Sequence, residues 1–115
     1  MEQHIMELSP LPFHMIKSGK KTIELRLYDE KRKKIHIGDL IKFSNRDNPA
    51  EALTVRVVNL FVFDSFETLY KELPLTECGY TEETVKTALP KDMDMYYTKE
   101  QQEKCGVIGI QIALI

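Results

Sequence analysis

The sequence lacks the features that mark several classes of protein. It has only two cysteines in 115 residues. No apolar run approaches the length needed to cross a bilayer, which is about 20 residues, and the N-terminus lacks the basic stretch followed by an apolar stretch that marks a signal peptide. We therefore predict a cytoplasmic protein with reduced thiols and no membrane partner. Neither a glycine-rich phosphate loop nor a zinc-type spacing of histidine and cysteine occurs, so we predict no cofactor and no bound metal.

The composition is that of a folded domain. Hydrophobic residues make up 43% of the chain and charged residues 30%, the balance of a soluble globular protein. A chain of this length buries roughly two-thirds of the surface it exposes when unfolded, which is enough for one ordinary core. We therefore predict one domain that spans residues 1–115.

The charge is unevenly distributed along the chain. Residues 17–34 hold eight basic and three acidic residues, a net charge of +5, whereas the rest holds eight basic and fifteen acidic residues, a net charge of −7. This concentration predicts a basic surface that fits an anionic partner such as a nucleic acid. A solvated, lysine-rich loop would have the same composition.

Hydrophobic periodicity predicts strands on either side of a block of short helices. Alternating or β-branched runs predict strands at residues 3–8, 22–28, 40–43, 53–63 and 106–115. Capping residues and helical spacing predict helices that begin at Ser9-Pro10, Asp64-Ser65, Thr81 and Thr98. We interpret the charged segment 29–34 as a loop.

Strands at both ends of the chain, without regular strand–helix alternation, argue against a doubly wound parallel sheet. We predict an α+β fold that is mainly β: a small, mostly antiparallel and partly closed barrel with short helices covering one end. Closure would protect the edges of the apolar strands from aggregation.

The strand that follows Gly19 is unusual because its polar face carries opposite charges. Glu24 and Arg26 stand two residues apart, and such same-face neighbours lie roughly 6.5 Å from each other along a strand. Lys21 has the parity of the apolar face, where an unpaired lysine is costly to bury. We therefore expect Lys21 to lie in the turn after Gly19, with its side chain directed toward Glu24 and Arg26.

Other residues that could carry chemistry lack supporting neighbours. Neither Cys78 nor Cys105 has an evident activating base, so we predict no cysteine nucleophile. A cluster of methionines and tyrosines is interpreted as packing and loop residues rather than a base-stacking platform. It comprises Met93, Met95, Tyr96 and Tyr97.

The run Gly19-x-Lys21-x-x-Glu24-x-Arg26 resembles the GxKxxExR signature of the ASCH (activating signal cointegrator homology) family. The resemblance covers essentially the whole chain, since it extends to a preceding helix, a following basic segment, an Ile-Gly-Asp turn at 37–39 and a closing Gly-Val-Ile-Gly-Ile strand at 106–110. It implies a fold similar to that of PUA domains, RNA binding, and a cleft lined by the signature residues.

Some bacterial members that resemble this chain hydrolyse N4-acetylcytidine. In them, a lysine at the position of Lys21 acts with a threonine at the position of Glu24, and with an acid farther along, near Glu77 or Cys78. The threonine is absent from this chain, so the resemblance implies the loss of a threonine nucleophile.

Three functions are compatible with these residues. An RNA- or nucleotide-binding module would use Lys21, Glu24 and Arg26 to read a base edge. A small amidohydrolase of modified nucleosides would use Lys21 and Glu24 as catalytic residues, with Glu24 as general base. A structural cluster would only hold the barrel mouth together. In the first case, phosphates would be bound by Lys17, Lys20, Lys31, Arg32, Lys33 and Lys34.

Overall fold

The computed structural model of the protein describes all residues from 1 to 115. One curled sheet contains β1 (Gln3–Leu8), β2 (Ile23–Leu27), β3 (Leu40–Asn45), β4 (Asn48–Phe63) and β5 (Val107–Leu114). The strands lie in the order β1-β3-β4-β5-β2, and only the β1–β3 pair is parallel. The sheet forms a half-barrel with short helices, which confirms the predicted α+β, PUA-like fold.

Seven short helical segments connect and cover the strands. The α-helices are α1 (Pro10–Lys17), α2 (Glu30–Lys33), α3 (Phe66–Glu72) and α4 (Lys99–Cys105). Short 3-10 helices occupy Leu75–Glu77, Thr84–Thr87 and Pro90–Met95. None of these helices combines the length and the apolar character that a membrane span requires.

Local capping explains which helix predictions are correct. Thr98 and Gln101 form the predicted capping box, in which each side chain accepts a hydrogen bond from the other residue's backbone N–H. Ser65 caps α3 by accepting from the backbone N–H of Thr68. Ser9 precedes α1 but makes no capping bond, so proline at the first helical position is the only predicted start signal present there.

Two local predictions are wrong. The segment 29–34 is not a loop, because Asp29 accepts a hydrogen bond from the backbone N–H of Arg32 and so begins α2. The helix predicted from Thr81 is reduced to a 3-10 turn. There, the hydroxyls of Thr81 and Thr84 each accept from the other's backbone N–H, and this local bonding replaces a longer helical ladder.

Two hydrophobic clusters lie on opposite faces of the sheet. The first fills the half-barrel beneath α1, whose Phe13 and Ile16 are buried in it. The second joins the apolar face of β2 to Phe66 and Leu69 of α3. Gly109 permits this packing, because a Cβ there would lie 2.7 Å from the Leu73 side chain. With its apolar side chains buried under α3, β2 directs Glu24 and Arg26 to the other side.

The half-barrel has two edge strands, β1 and β2, and side chains span the gap between them. The guanidinium of Arg26 donates from Nη2 to the carbonyl oxygen of Glu7 at 2.9 Å. The ammonium of Lys31 donates to the carbonyl oxygen of Ile5 at 2.8 Å. Two cations thus satisfy alternate carbonyls of β1 that no neighbouring strand pairs, and they blunt an edge that could otherwise bind another chain.

Asp39 fixes the start of β3 to the N-terminal strand. Its buried carboxylate accepts from His4 Nε2 at 2.8 Å, from the backbone N–H of His36 at 2.9 Å and from the backbone N–H of Glu2 at 3.2 Å. The hydrogen bond from His4, followed by those from the backbone, lowers the pKa of Asp39 far below its usual range. The folded state therefore favours the ionised carboxylate.

We predict that Asp39→Asn lowers the free energy of unfolding by about 2 kcal/mol at pH 7, because an amide NH₂ must face at least one of these donors. The lowered pKa means that this stabilisation is present above the unfolded value of about 3.9 and is lost as the pH falls. Chemical denaturation at pH 7 and pH 3 measures both effects. The exposed Asp47→Asn is the control, and an equal loss at both pH values would contradict the prediction.

Candidate functional site

Glu24 is the centre of a buried ion cluster. Its carboxylate lies 2.8 Å from Lys21 Nζ through Oε1 and 2.8 Å from Arg26 Nε through Oε2. The residue is only 3% exposed, whereas both cations retain some access to solvent. The predicted convergence of these three side chains is confirmed; their role in binding stays a prediction.

The turn between α1 and β2 sets the position of Lys21. Gly19 adopts a φ of +82°, which L side chains rarely adopt. The backbone N–H groups of Lys20 and Lys21 then both donate to the carbonyl oxygen of Met15, at 2.9 and 3.0 Å. Lys21 thus lies outside the regular strand, and its stem passes Gly79 on the way to Glu24.

The two cations determine the protonation state of Glu24. Burial alone would raise the pKa of the carboxyl, but the charges and hydrogen bonds of Lys21 and Arg26 outweigh burial and hold the pKa below its ordinary value. The carboxylate is therefore ionised at neutral pH, with both oxygens engaged. The cluster presents the remaining N–H groups of Lys21 and Arg26 to any ligand.

A cavity of about 460 Å³ opens in front of this cluster. Lys21, Glu24 and Arg26 all line it, as do residues from the end of β1, from α1 and from the segment 78–80. Arg46, in the β3–β4 turn, adds a third cation to the lining. Sequence reasoning missed Arg46, because nothing in a turn-rich connection indicates where its side chain will point.

The methionine and tyrosine cluster, interpreted as packing and loop residues, also lines the cavity. Met93 is buried, and Tyr97 stacks on Phe66 with ring centroids 6.3 Å apart. Met95 and Tyr96, however, are 79% and 66% exposed at the cavity. Together with the exposed Leu11 of α1 they give the mouth of the cavity an apolar surface.

None of the six predicted phosphate-binding residues lines the cavity. Lys31 is committed to the β1 carbonyl of Ile5, and burial followed by the charges of Arg32 and Arg26 lowers the pKa of Lys31. Three others have acidic neighbours: Lys17 pairs with Glu51, Arg32 with Asp29 and Lys33 with Glu30. Lys20 and Lys34 are exposed and make no ion pair.

Nucleophilic and acidic candidates near residue 78 divide between the cavity and the surface. Cys78 lines the cavity, but burial raises the pKa of its thiol to about 12, so the thiol stays protonated. Glu77 is exposed, does not line the cavity, and accepts a hydrogen bond from the Thr22 hydroxyl at 3.0 Å. The acid that the resemblance places near this position is therefore directed elsewhere.

Away from the cavity, the structure brings Glu2, His4 and Asp39 close enough to share a cation. Spacing along the sequence did not indicate this group, since Glu2 precedes β1, His4 lies in β1 and Asp39 lies in the turn before β3. Both oxygens of Asp39 already accept hydrogen bonds from the protein. These hydrogen bonds attach β1 to the start of β3, and this structural role explains why the three residues lie together.

Comparison with known proteins identifies the family. The protein-family model of the ASCH domain matches residues 6–115 of the chain. The chain belongs to the ASCH domain family. The structure of hypothetical protein PH0355 is similar to this ASCH domain over 100% of both chains, with 34% identity and a TM-score of 0.77. Protein PF0455 from Pyrococcus furiosus is 31% identical over 100% of this chain and 98% of its own, with a TM-score of 0.73.

A more distant neighbour shares the fold of this ASCH domain. A serine-to-alanine variant of ASCH from Zymomonas mobilis has a TM-score of 0.67 and 15% identity, over 96% of this chain and 67% of its own. At that identity the likeness shows the fold alone. No curated protein is significantly similar to the chain.

We predict that Glu24→Gln destabilises this ASCH domain by about 3 kcal/mol at pH 7, because it leaves two largely buried cations without their shared counter-charge. The pKa of Glu24 is lowered on folding, so its stabilisation is present above about 4.3 and decreases as the pH falls below that value.

Urea denaturation of Glu24→Gln and of wild type across pH 3–7 tests this prediction. Glu67→Gln is the matched control, since Glu67 pairs with Lys71 at 3.8 Å on the surface and should change stability by less than about 0.5 kcal/mol. Equal effects of the two substitutions would contradict the prediction.

Proposed function

We propose that the cavity of this ASCH domain binds a nucleobase, presented either by a free nucleoside or nucleotide or by single-stranded RNA. The observation that carries the proposal is one cavity with a hydrogen-bonding, cationic wall and an apolar, aromatic mouth. Its volume of about 460 Å³ falls within the range of small-molecule sites, which is roughly 300–1,000 Å³.

The polar wall is suited to hydrogen-bond acceptors on a base. Lys21 uses one N–H on Glu24, and Arg26 uses two on Glu24 and Glu7. The other N–H groups of both side chains are available to carbonyl oxygens or ring nitrogens. Because Glu24 holds both cations in place, these donors are positioned before a ligand arrives, which reduces the entropic cost of binding.

The mouth is suited to the flat faces of a base. Tyr96 exposes its ring beside Met95, and base–aromatic stacking contributes about 1–3 kcal/mol per base. RNA readers commonly take unstacked bases onto aromatic side chains in this way. Without a ligand, the exposed parts of Tyr96 and Met95 leave apolar surface in water.

Hydrolysis of a modified nucleoside has less support. Glu24 is a weak base, because both its oxygens accept hydrogen bonds and its pKa is lowered. The Cys78 thiol is protonated, and Glu77 faces away from the cavity. Release of cytidine from N4-acetylcytidine, abolished by Glu24→Gln and by Lys21→Ala, would reverse this preference.

We predict that Lys21→Met weakens nucleoside binding about tenfold or more, because it removes a charged donor but keeps the apolar stem that packs on Gly79. Calorimetric titration with adenosine, cytidine, guanosine and uridine measures the effect, and thermal unfolding verifies that the variant is folded. Lys20→Met is the matched control and should bind as wild type does. Binding of neither a nucleoside nor a short single-stranded RNA by the wild type, or equal binding by both variants, would contradict the proposal.

A second titration separates free nucleosides from RNA. Among the predicted phosphate-binding residues, Lys20 and Lys34 have neither an acidic partner nor a hydrogen bond to β1 such as that of Lys31, so they are the ones available to a phosphate backbone. If single-stranded RNA is the ligand, we expect Lys20→Gln/Lys34→Gln to weaken the binding of a short RNA and to reduce the slope of log K against log salt by about 1–2. Nucleoside affinity should not change. An RNA affinity that is independent of both salt and these lysines would exclude backbone contact.

A further inference from the structure

A chain of hydrogen bonds forms part of the cavity wall made by α3 and by the segment that follows it. The hydroxyls of Tyr70 and Tyr80 lie 2.7 Å apart, and the Tyr80 hydroxyl donates to Asp92 Oδ2 at 2.8 Å. The same oxygen of Asp92 accepts from the backbone N–H of Leu89 at 3.1 Å. The side chains of Tyr70, Tyr80 and Asp92 all line the cavity.

Counting protons fixes the direction of this chain. An ionised carboxylate can only accept hydrogen bonds, and the bonds from Leu89 and Tyr80 lower the pKa of Asp92, so it is ionised at neutral pH. Tyr80 has one hydroxyl proton, and it is given to Asp92. The bond between the two phenols must therefore use the proton of Tyr70, with Tyr80 as acceptor.

Both hydroxyl protons are then used in bonds within the protein, so each phenol oxygen has only a lone pair to offer to a ligand. A neutral tyrosine in solution can donate or accept, but Tyr70 in this arrangement can only accept. A ligand atom that reaches Tyr70 must itself carry a hydrogen, since a carbonyl oxygen or an unprotonated ring nitrogen there would face another lone pair. Bringing two lone pairs together in a partly buried position, with no proton between them, is costly.

We propose that Tyr70 is a specificity-determining residue that accepts a hydrogen bond from the exocyclic amino group of the bound base, and that Tyr80 and Asp92 are positioning residues that keep it an acceptor. This assignment rests on the proposed function of the cavity. The opposite polarity is supplied by Lys21 and Arg26, which offer only donors. Tyr70 as acceptor and the two cations as donors together select a base edge on which an amino group lies beside a ring nitrogen or a carbonyl, as in adenine and cytosine.

The experiment compares ribosides that differ only in the exocyclic amine. Adenosine is titrated against purine riboside, and cytidine against its analogue that lacks the 4-amino group. In the wild type we expect the amine-bearing member of each pair to bind about tenfold more tightly. Tyr70→Phe should abolish this difference by weakening only the amine-bearing ligands.

Tyr80→Phe tests the positioning role. It removes the acceptor of the Tyr70 proton, so Tyr70 regains the ability to donate. We expect this variant to bind uridine more tightly than wild type does, while its affinity for cytidine stays within about twofold, so that the cytidine-to-uridine preference falls. A role limited to structural support would lower both affinities together, and thermal unfolding reports any loss of stability separately.

The outcomes distinguish this assignment from the proposed function. If nucleosides bind, and Lys21→Met weakens them, but the amine has no effect on affinity in the wild type, the assignment to Tyr70 is overturned and the proposed function stands. An unchanged preference in Tyr80→Phe overturns the positioning role. If the wild type binds neither a nucleoside nor a short single-stranded RNA, both proposals fail.

Discussion

A buried carboxylate with two cations on it is stable only as a complete set, and the arrangement around Glu24 depends on this constraint. Without the carboxylate, the two cations would repel each other with no counter-charge, and without the cations the buried carboxylate would be protonated. With all three present, the negative charge is neutralised and a net positive charge faces the cavity. The signature residues are therefore first a structural unit, and the hydrogen-bond donors that they offer to a ligand follow from that unit.

Arg26 connects this cluster to the closure of the half-barrel. One side of its guanidinium holds Glu24, and another holds the carbonyl of Glu7 across the gap between the two edge strands. Lys31 makes a similar bond two residues along β1, to Ile5. A change in the position of Arg26 at the cavity wall therefore also affects the contact between the edge strands β1 and β2. The shape of the cavity and the attachment of β1 are coupled through this one side chain.

The sequence predicted what depends on local pattern and failed where contacts come from distant segments. The strands, the Thr98–Gln101 capping box and the position of Lys21 after Gly19 follow from periodicity, capping and parity, which act over a few residues. The composition of the sequence revealed the basic segment. It did not reveal that Lys31 bonds to β1, because that hydrogen bond joins segments that only the fold brings together. Arg46, Tyr96 and the Tyr70–Tyr80–Asp92 chain reach the cavity from separate elements, and no spacing along the sequence indicates that they meet.

The protonation state of Glu24 is the quantity on which this account depends most directly. A carbon-13 NMR titration of the glutamate side-chain carboxyls, with Glu24→Gln used to assign the resonance, measures it in the folded protein. We expect Glu24 to keep the chemical shift of a carboxylate as the pH falls through about 4.3, the ordinary value for a glutamate. Titration of Glu24 at about 4.3 or at a higher pH would show that Lys21 and Arg26 do not hold it ionised, and would contradict this account.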